Sequence, residues 1–267
     1  MFTRKFFLIA ICLFAILNCE AQEKRKKRNG EFFFSWGYNK EWYTKSNVKI
    51  SQPQLGNNYQ FKNIRGHDFP GWDEGLLTIP LTIPQYNYRI GYFFNDKKNL
   101  GIEINFDHTK FLFTDGQQAR MSGTFNNRFV DTTINIAENE GFFYYLNNGA
   151  NFFLINIIKR WQWCKSKNMK IDLLGKAGIG PVVPHVENSF FAQKNDPGFQ
   201  LGGWNTGIET ALRTTFFNHV YLEFAGKLDY ARYSNLKIYK GRARHAFGTA
   251  ELILSLGYTF KQRGYKM

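Results

Sequence analysis

The stretch that decides the fold class is Gln85–Phe94, which reads QYNYRIGYFF. Aromatic or aliphatic side chains stand at every second position from Tyr86 to Phe94, and Gln, Asn, Arg and Gly occupy the alternate positions from Gln85 to Gly91. Successive side chains of a β-strand point to opposite faces of the sheet. The spacing therefore predicts a strand with one apolar face and one polar face.

The same alternation with period two is found in eight segments of the chain. These segments are Glu31–Tyr43, Gln85–Phe94, Asn99–Phe113, Gly149–Trp163, Met169–Val183, Gln200–Phe216, His219–Arg232 and His245–Phe260. After residue 21 there is no run of 18 apolar residues, which is the length that a transmembrane helix requires. The repeated period of two therefore predicts an all-β protein.

The connections between these segments are alternately short and long. The short ones are Asn95–Lys98, Cys164–Asn168 and Phe217–Asn218, and the long ones are Thr44–Ile83, Thr114–Asn148, Pro184–Phe199 and Tyr233–Arg244. Short turns at one end and long loops at the other are typical of outer-membrane barrels. We therefore predict an eight-stranded antiparallel up-and-down transmembrane β-barrel with long extracellular hairpin loops. The alternative is a soluble β-sandwich that exposes the polar face, although sandwich turns do not alternate in length so regularly.

The two longest loops have strand-like content of their own. Thr44–Ile83 contains NVKISQ and YQFKNIRG around a PQLGNN turn, and Thr114–Asn148 contains ARMSGTFNNRF. We expect hairpins that extend the barrel wall outside the membrane. Loops of this length are often functional, and an exposed edge strand there could bind a partner protein by strand addition.

The N-terminus has the features of a secretory signal peptide. Arg4 and Lys5 precede the unbroken apolar run Phe6–Leu17, which is too short to span a bilayer. Cys19 suggests a lipoprotein, but Asn18 occupies the position where lipoprotein processing requires a small residue. We therefore predict cleavage after Ala21. The predicted domains are a signal peptide at 1–21, a basic periplasmic tail at 22–30, the barrel at 31–260 and a periplasmic C-terminal tail at 261–267.

The charge and the cysteine content narrow the choice of partners. The chain carries a net charge of +14, and loss of the signal peptide, with two cations and one anion, leaves +13. Such a surplus indicates an anionic partner, and an exported chain would meet acidic lipid or lipopolysaccharide rather than nucleic acid. Only Cys164 remains after processing, and the sequence has no CxxC or HExxH motif. We therefore predict no internal disulfide, no metal and no cofactor.

The polar face of the predicted strands carries both signs of charge. Its ionisable residues are Arg89, Glu103, Asp107, Arg160, Lys170, Asp172, Lys176, Glu209, Arg213, Glu223, Lys227, Asp229 and Glu251. Eight strands enclose little more than the volume of their inward side chains. The mixed charges therefore predict a packed interior held by salt bridges, without a channel.

The last predicted strand resembles the terminal strand signal of outer-membrane proteins. Leu252–Phe260 reads LILSLGYTF, with alternating apolar residues that end in an aromatic one, and KQRGYKM follows it. The stretches FFFSWGYNKEWY and IPQYNYRIGYFFND are similar to a family of small barrels of the Bacteroidota type, within the OmpA/OmpX-like class. The resemblance covers most of the chain after the signal peptide and implies the fold and the location, but little about activity.

A second, local resemblance involves six residues at the outer end of the seventh predicted strand. Tyr230–Asn235 reads YARYSN and is similar to the His-x-Ser-Asn stretch of lipid A deacylase barrels. Ser234 and Asn235 match that stretch, but Arg232 occupies the position of the base, and an arginine does not accept a proton at ordinary pH. His245 is the other candidate base, although its parity places it inside. The resemblance implies Ser234 as a nucleophile and a lipid A-modifying acyl hydrolase as the alternative function.

The hairpin between the last two predicted strands is basic. Its cations are Arg232, Lys237, Lys240, Arg242 and Arg244. Guanidinium and ammonium groups bind phosphate well, and lipopolysaccharide presents phosphates where strands leave the bilayer. The hairpin is therefore a candidate lipopolysaccharide site, and a merely solvated loop is the alternative. We expect an integral outer-membrane protein with a structural, adhesion or partner-binding role.

Overall fold

A computed structural model describes residues 30–71, 84–94 and 98–261 of the chain. The described residues form seventeen strands and two short 3-10 helices, Pro53–Leu55 and Glu138–Glu140. The strands are β1 Glu31–Tyr43, β2 Ser46–Gln52, β3 Asn57–Ile64, β4 Gly66–His67, β5 Tyr86–Phe93, β6 Leu100–Asp107, β7 Phe111–Phe113, β8 Gln117–Phe125, β9 Arg128–Ile136, β10 Phe143–Leu146, β11 Phe152–Lys165, β12 Met169–Val182, β13 His185–Phe190, β14 Gln193–Phe199, β15 Gly203–Phe216, β16 Val220–Ile238 and β17 Gly241–Lys261. Within this part of the chain, no helix has both the length and the apolar character needed to cross a membrane.

Eight of these strands pair in a closed ring. Their order is β1, β5, β6, β11, β12, β15, β16 and β17, and β17 pairs back with β1 over the whole length of β1. Every pairing is antiparallel. The prediction of an all-β, antiparallel chain is therefore confirmed, and the eight ring strands coincide with the eight predicted segments to within a few residues, apart from the two departures described below.

The remaining strands extend the ring at one end. The hairpin of β2 and β3 and that of β8 and β9 continue the sheet beyond β17, in the order β17, β2, β3, β8 and β9. A second sheet has the order β14, β13, β10, β7 and β4. We call the strands beyond the ring, together with the outer ends of β16 and β17, the extension. The hairpins β2–β3 and β8–β9 confirm the prediction that the connections Thr44–Ile83 and Thr114–Asn148 contain hairpins.

One predicted strand is divided in the structure. The segment Asn99–Phe113 ends as a ring strand at Asp107, and Phe111–Phe113 belongs to the second sheet. The physical reason is a change in the interior. Odd-numbered residues such as Glu103 and Asp107 face a polar interior in β6, whereas the odd-numbered Phe111 and Phe113 are buried in an apolar core.

The prediction of a long loop at Tyr233–Arg244 is wrong. β16 continues to Ile238 and β17 begins at Gly241, so only Tyr239 and Lys240 form the turn. The register shifts between Tyr233 and Leu236, where β16 has a bulge. Leu236, Ile238 and Ala243 are buried in the apolar core of the extension, and this burial stabilises the longer hairpin.

The interior of the ring and the extension is layered. Next to the short turns lies an apolar layer that includes Phe33, Phe93 and Tyr221. The guanidinium of Arg213 covers it, at 4.4 Å from the ring of Phe33 and 4.0 Å from that of Tyr221. Charged residues follow, and the large apolar core of the extension lies beyond them. The predicted salt-bridge interior is thus found in the middle of the ring, between two apolar regions.

Several predictions lie outside the described residues. They are the signal peptide, the basic tail up to Asn29, most of the short connection Asn95–Lys98, residues 72–83 of the connection Thr44–Ile83 and the tail after Lys261. These remain predictions.

Candidate functional site

The charged layer within the ring is a network of buried ion pairs. The ammonium of Lys176 lies 3.0 Å from Glu103, 2.7 Å from Glu209 and 2.8 Å from Glu223. Because these residues come from β12, β6, β15 and β16, the contacts cross the interior and do not merely follow its wall. All four side chains are almost fully buried.

A second group surrounds Lys227 on β16. Its ammonium lies 2.5 Å from Asp107, 2.9 Å from Asp229 and 3.4 Å from Glu251. Arg89 joins the two groups, since its guanidinium is 2.5 Å from Asp107 and 3.5 Å from Glu209. Buried charges need such partners because desolvation of an isolated charge is costly. The network therefore fills the middle of the ring with charges of both signs, and the three cations named here are shared among six carboxylates.

The outer face of the ring is apolar and exposed. Ile157 is 68% exposed, Ile208 is 60% exposed and Leu254 is 59% exposed. Comparable aliphatic or aromatic residues stand at outward positions on all eight ring strands. A water-soluble surface rarely presents an apolar area of this extent. The ring is therefore polar inside and apolar outside.

The outward residues of β17 change character along the strand. From Phe260 through Leu254 to Ala250 they are almost all apolar, whereas the outward residues Arg244 and Arg242 are cations. β16 shows the same change, from Leu228 and Tyr230 to Arg232. The boundary between the apolar and the cationic surface thus lies where the ring meets the extension.

An open cleft of about 310 Å³ lies on this cationic surface. Arg242 and Arg244 line it together with Lys49, because β17 pairs with β2 in a register that sets Arg244 opposite Lys49 and Arg242 opposite Ser51. Ser234 and Asn58 also line it. Sequence reasoning placed Lys49 in a hairpin but not in this site. The sequence does contain a signal for its orientation: Lys49 stands between the apolar residues Val48 and Ile50, and this alternation predicts that Lys49 faces outward.

The five predicted basic residues are all exposed. Arg242 and Arg244 lie in the cleft, and Lys237 is the register partner of Arg242 on the same face. Arg232 stands one row nearer to the ring, and Lys240 lies in the hairpin turn with its ammonium 5.4 Å from the ring of Tyr239. The structure therefore brings three of the five close together and leaves Arg232 and Lys240 at the margins.

Ser234 is not part of a catalytic arrangement in this structure. Its side chain is exposed at the bulge of β16, and none of the described residues that line the cleft is a histidine or a carboxylate. His245 is buried on the other face, where its Nε2 lies 3.1 Å from the hydroxyl of Tyr144, and burial lowers its pKa to about 3. A serine needs a base within hydrogen-bond reach to become a nucleophile. Nothing near Ser234 therefore favours the acyl hydrolase.

A mixed group on the second sheet was not foreseen from the sequence. The half-buried His185 lies between two carboxylates, with Nδ1 3.5 Å from Glu187 and Nε2 3.5 Å from Asp196. One ligand atom from each residue lies within 4.8 Å of the others, so the three side chains have the spacing of a possible cation site. Each ring nitrogen faces a different carboxylate, which is equally the arrangement of a histidine held by two acceptors.

Comparisons with known proteins give no family for the chain. No protein-family model matches it, and no curated protein matches its sequence. Among solved structures, the outer membrane protein OprG of Pseudomonas aeruginosa shares 8% identity at a TM-score of 0.41, with 88% of this chain and 98% of OprG covered. The outer membrane protein AlkL shares 14% identity at a TM-score of 0.34, with coverages of 94% and 100%. The attachment invasion locus protein Ail of Yersinia pestis, in complex with the heparin analogue sucrose octasulfate, shares 14% identity at a TM-score of 0.33, with coverages of 87% and 99%. At these values the function has to be argued from the chain itself.

Proposed function

We propose that the ring is a β-barrel that spans the outer membrane, with a structural or adhesive role and no channel. The observation that carries this proposal is the exposed apolar band around a closed ring. In hydrocarbon every backbone polar group must be paired within the protein, and a ring without free edges meets that requirement. On β17 the band reaches from Ala250 to Phe260. These ten steps of about 3.3 Å, tilted by about 40°, span about 25 Å, which is the height of such bands in outer-membrane barrels.

The domain boundaries follow from the same proposal. Residues 1–21 are the signal peptide that directs export, 22–30 and 261–267 are periplasmic tails, and 31–260 form the barrel. β1 begins and β17 ends at the short-turn end of the ring, where Glu31 pairs with Lys261, and the proposal assigns this end to the periplasm. The extension then lies on the extracellular side, where it stands in water and among the sugars of lipopolysaccharide.

The location is tested by fractionation together with a charge in the apolar band. The full chain should be recovered with outer membranes and should change its mobility on gels when the sample is not heated. Ile157→Lys places a charge near the middle of the band and should destabilise the folded barrel by roughly 2–4 kcal/mol. Lys62→Met, on the extension, is the control and should leave both results unchanged. Recovery of the chain as a soluble periplasmic protein would refute the proposal.

We also propose that the cationic cleft binds lipopolysaccharide phosphates. The support is its position: Arg244 and Arg242 are the first charged outward residues of β17 on the extracellular side of the apolar band, and Lys49 lies opposite Arg244. Each charge-assisted hydrogen bond to phosphate contributes roughly 1.5–3 kcal/mol. Arg232 at the margin and Lys237 in the neighbouring row enlarge the same surface.

The phosphate proposal is tested by thermal unfolding in detergent. Lipopolysaccharide should raise the unfolding temperature, and high salt should weaken the effect. Replacing Arg232, Arg242 and Arg244 together by Gln should remove most of the shift. Lys165→Gln with Lys167→Gln, which removes exposed cations at the opposite end of the ring, is the matched control. An unchanged shift in the triple variant would mean that the cleft is only solvated.

A further inference from the structure

The hairpin of β13 and β14 in the second sheet contains a β-bulge. Its register shifts where Glu187 alone stands opposite two residues of β14, Asp196 and Pro197. A bulge re-aims side chains, and it is one of the few places where a strand accommodates proline. His185 and Glu187 are two residues apart on β13 and therefore share one face. The bulge brings the carboxylate of Asp196 to that face, beside the imidazole of His185.

The imidazole of His185 lies between two carboxylates. Its Nδ1 is 3.5 Å from Oε1 of Glu187, and its Nε2 is 3.5 Å from Oδ1 of Asp196. A neutral imidazole has one N–H donor and one acceptor nitrogen, so it donates to only one of the two carboxylates. The other carboxylate then faces a lone pair. A cation placed between that carboxylate and that nitrogen would remove the repulsion.

The side chain of Asn148 distinguishes the two ring nitrogens. Its amide lies 3.5 Å from Nδ1 of His185 and 3.3 Å from Oε1 of Glu187. The amide nitrogen occupies this position in the structure, and because Asn148 is exposed, a half-turn of the amide brings its carbonyl oxygen there instead. Nδ1, Oε1 and the amide oxygen then form a triangle of three atoms that can bind a metal ion.

The sides of this triangle have the length expected between ligands of one metal ion. The printed distances of 3.3 Å and 3.5 Å exceed the roughly 2.7–3.2 Å of ordinary hydrogen bonds. A tetrahedral ion with bonds of about 2.0–2.2 Å separates its ligands by about 3.3–3.6 Å. Rotation of one exposed amide is therefore the main change that the group needs in order to hold an ion.

The neighbouring contacts hold His185 and Asp196 in place. The backbone N–H of His185 donates to the carbonyl of Gly149 at 2.9 Å, and its ring packs edge-on against Phe199, with centroids 4.9 Å apart. The N–H of Gly198 donates to Oδ1 of Asp196 at 3.2 Å. With a metal on Nδ1, the hydrogen of the ring is on Nε2, which faces Asp196. Metal-binding histidines usually donate their second N–H to such an acceptor, which fixes the ring.

We propose that His185, Glu187 and Asn148 bind a divalent transition-metal ion on the extension, with Asp196 as the residue that positions the imidazole. Water completes the coordination. An imidazole beside a carboxylate favours Zn²⁺ and similar ions over Ca²⁺ and Mg²⁺, which take oxygen ligands. The expectation of no metal came from the absence of CxxC and HExxH motifs, whereas these residues meet through the pairing of β10, β13 and β14. The site is separate from the cationic cleft, so the proposal does not depend on lipopolysaccharide binding.

The test is a calorimetric titration of the full chain in detergent with ZnCl₂, after removal of metals by EDTA. One Zn²⁺ should bind and raise the unfolding temperature, and a tenfold excess of Ca²⁺ should not displace it. His185→Ala should abolish this binding. His67→Ala, at an exposed histidine of the same extension, is the matched control and should leave it unchanged. No binding to the unmodified chain, the same binding to a folded His185→Ala variant, or displacement by Ca²⁺ would overturn the proposal.

Two variants that preserve shape separate the ligand from the positioning residue. Glu187→Gln removes a charged ligand and should lower the affinity for Zn²⁺ at least roughly a hundredfold. Asp196→Asn keeps an acceptor for Nε2 and should lower the affinity only roughly tenfold, with one ion still bound. Unchanged affinity in Glu187→Gln, or an equal loss in the two variants, would overturn the assignment of Nδ1 and Glu187 as ligands. These two variants also decide the matter if His185→Ala does not fold.

Discussion

Replacement of Lys176 by Met tests whether the ion-pair network stabilises the barrel. The ammonium of Lys176 lies within 3.0 Å of Glu103, Glu209 and Glu223, and its side chain is fully buried. Methionine has a similar length and flexibility, so the change removes the charge and leaves only a small cavity. Three carboxylates then share the remaining cations Arg89 and Arg213.

The expected cost follows from what remains buried. Removal of one member of a buried ion pair typically costs 3–5 kcal/mol, because the other member is left without compensation. The three contacts of Lys176 share one ion, so their costs do not add up separately. We expect a loss of about 3–5 kcal/mol, which is a large part of the ~5–15 kcal/mol that stabilises a typical domain.

The assay is unfolding by guanidinium chloride in detergent micelles, followed by tryptophan fluorescence. Lys194→Met, at an exposed lysine of β14, is the control and should change the stability by less than about 0.5 kcal/mol. Glu223→Gln should cost less in the Lys176→Met background than in the unmodified chain, because Glu223 then keeps only its ion pair with Arg213. A loss below about 1 kcal/mol for Lys176→Met, or no such coupling, would refute the reasoning.

Two further predictions concern the lumen and the extension. Because Lys176 and Arg89 link carboxylates across the ring, planar-bilayer recordings should show no large, stable conductance, and steady porin-like currents would contradict the packed interior. Burial lowers the pKa of His245 in the extension from 6.5 to about 3, so the folded chain binds fewer protons than the unfolded one between these values and loses stability as the pH falls below 6.5. At pH 5 this loss is about 2 kcal/mol relative to pH 7, and His245→Gln should abolish that part of the pH dependence. If the stability of the His245→Gln variant depended on pH as strongly as that of the unmodified chain, other groups would be responsible for the loss at low pH.

The functional surface could be predicted only in part. Its arginines were evident because Arg242 and Arg244 are two residues apart in a strand, so both must lie on one face. Lys49 is almost two hundred residues away from them, and only the pairing of β2 with β17 brings it to the cleft. His185, Glu187 and Asp196 likewise meet because β13 and β14 form a hairpin within a stretch that was predicted as a loop. Contacts between strands depend on register, which local alternation does not specify.

The sequence by itself determined which residues belong to strands and which side of each strand faces inward. Alternation is a local property of the chain, and for this reason β1 was predicted with its actual bounds and the inward charges Lys176 and Glu223 were recognised. It also determined that the outward face is apolar along the ring, which supports the proposed place in a membrane. Only the tertiary structure decided where the interior changes from ionic to apolar. That change ends β6 at Asp107, and the same apolar core stabilises the continuation of β16 and β17 through the residues predicted as a loop. The physical reason is that the environment of an inward side chain is set by the strands opposite to it, which come from distant parts of the chain.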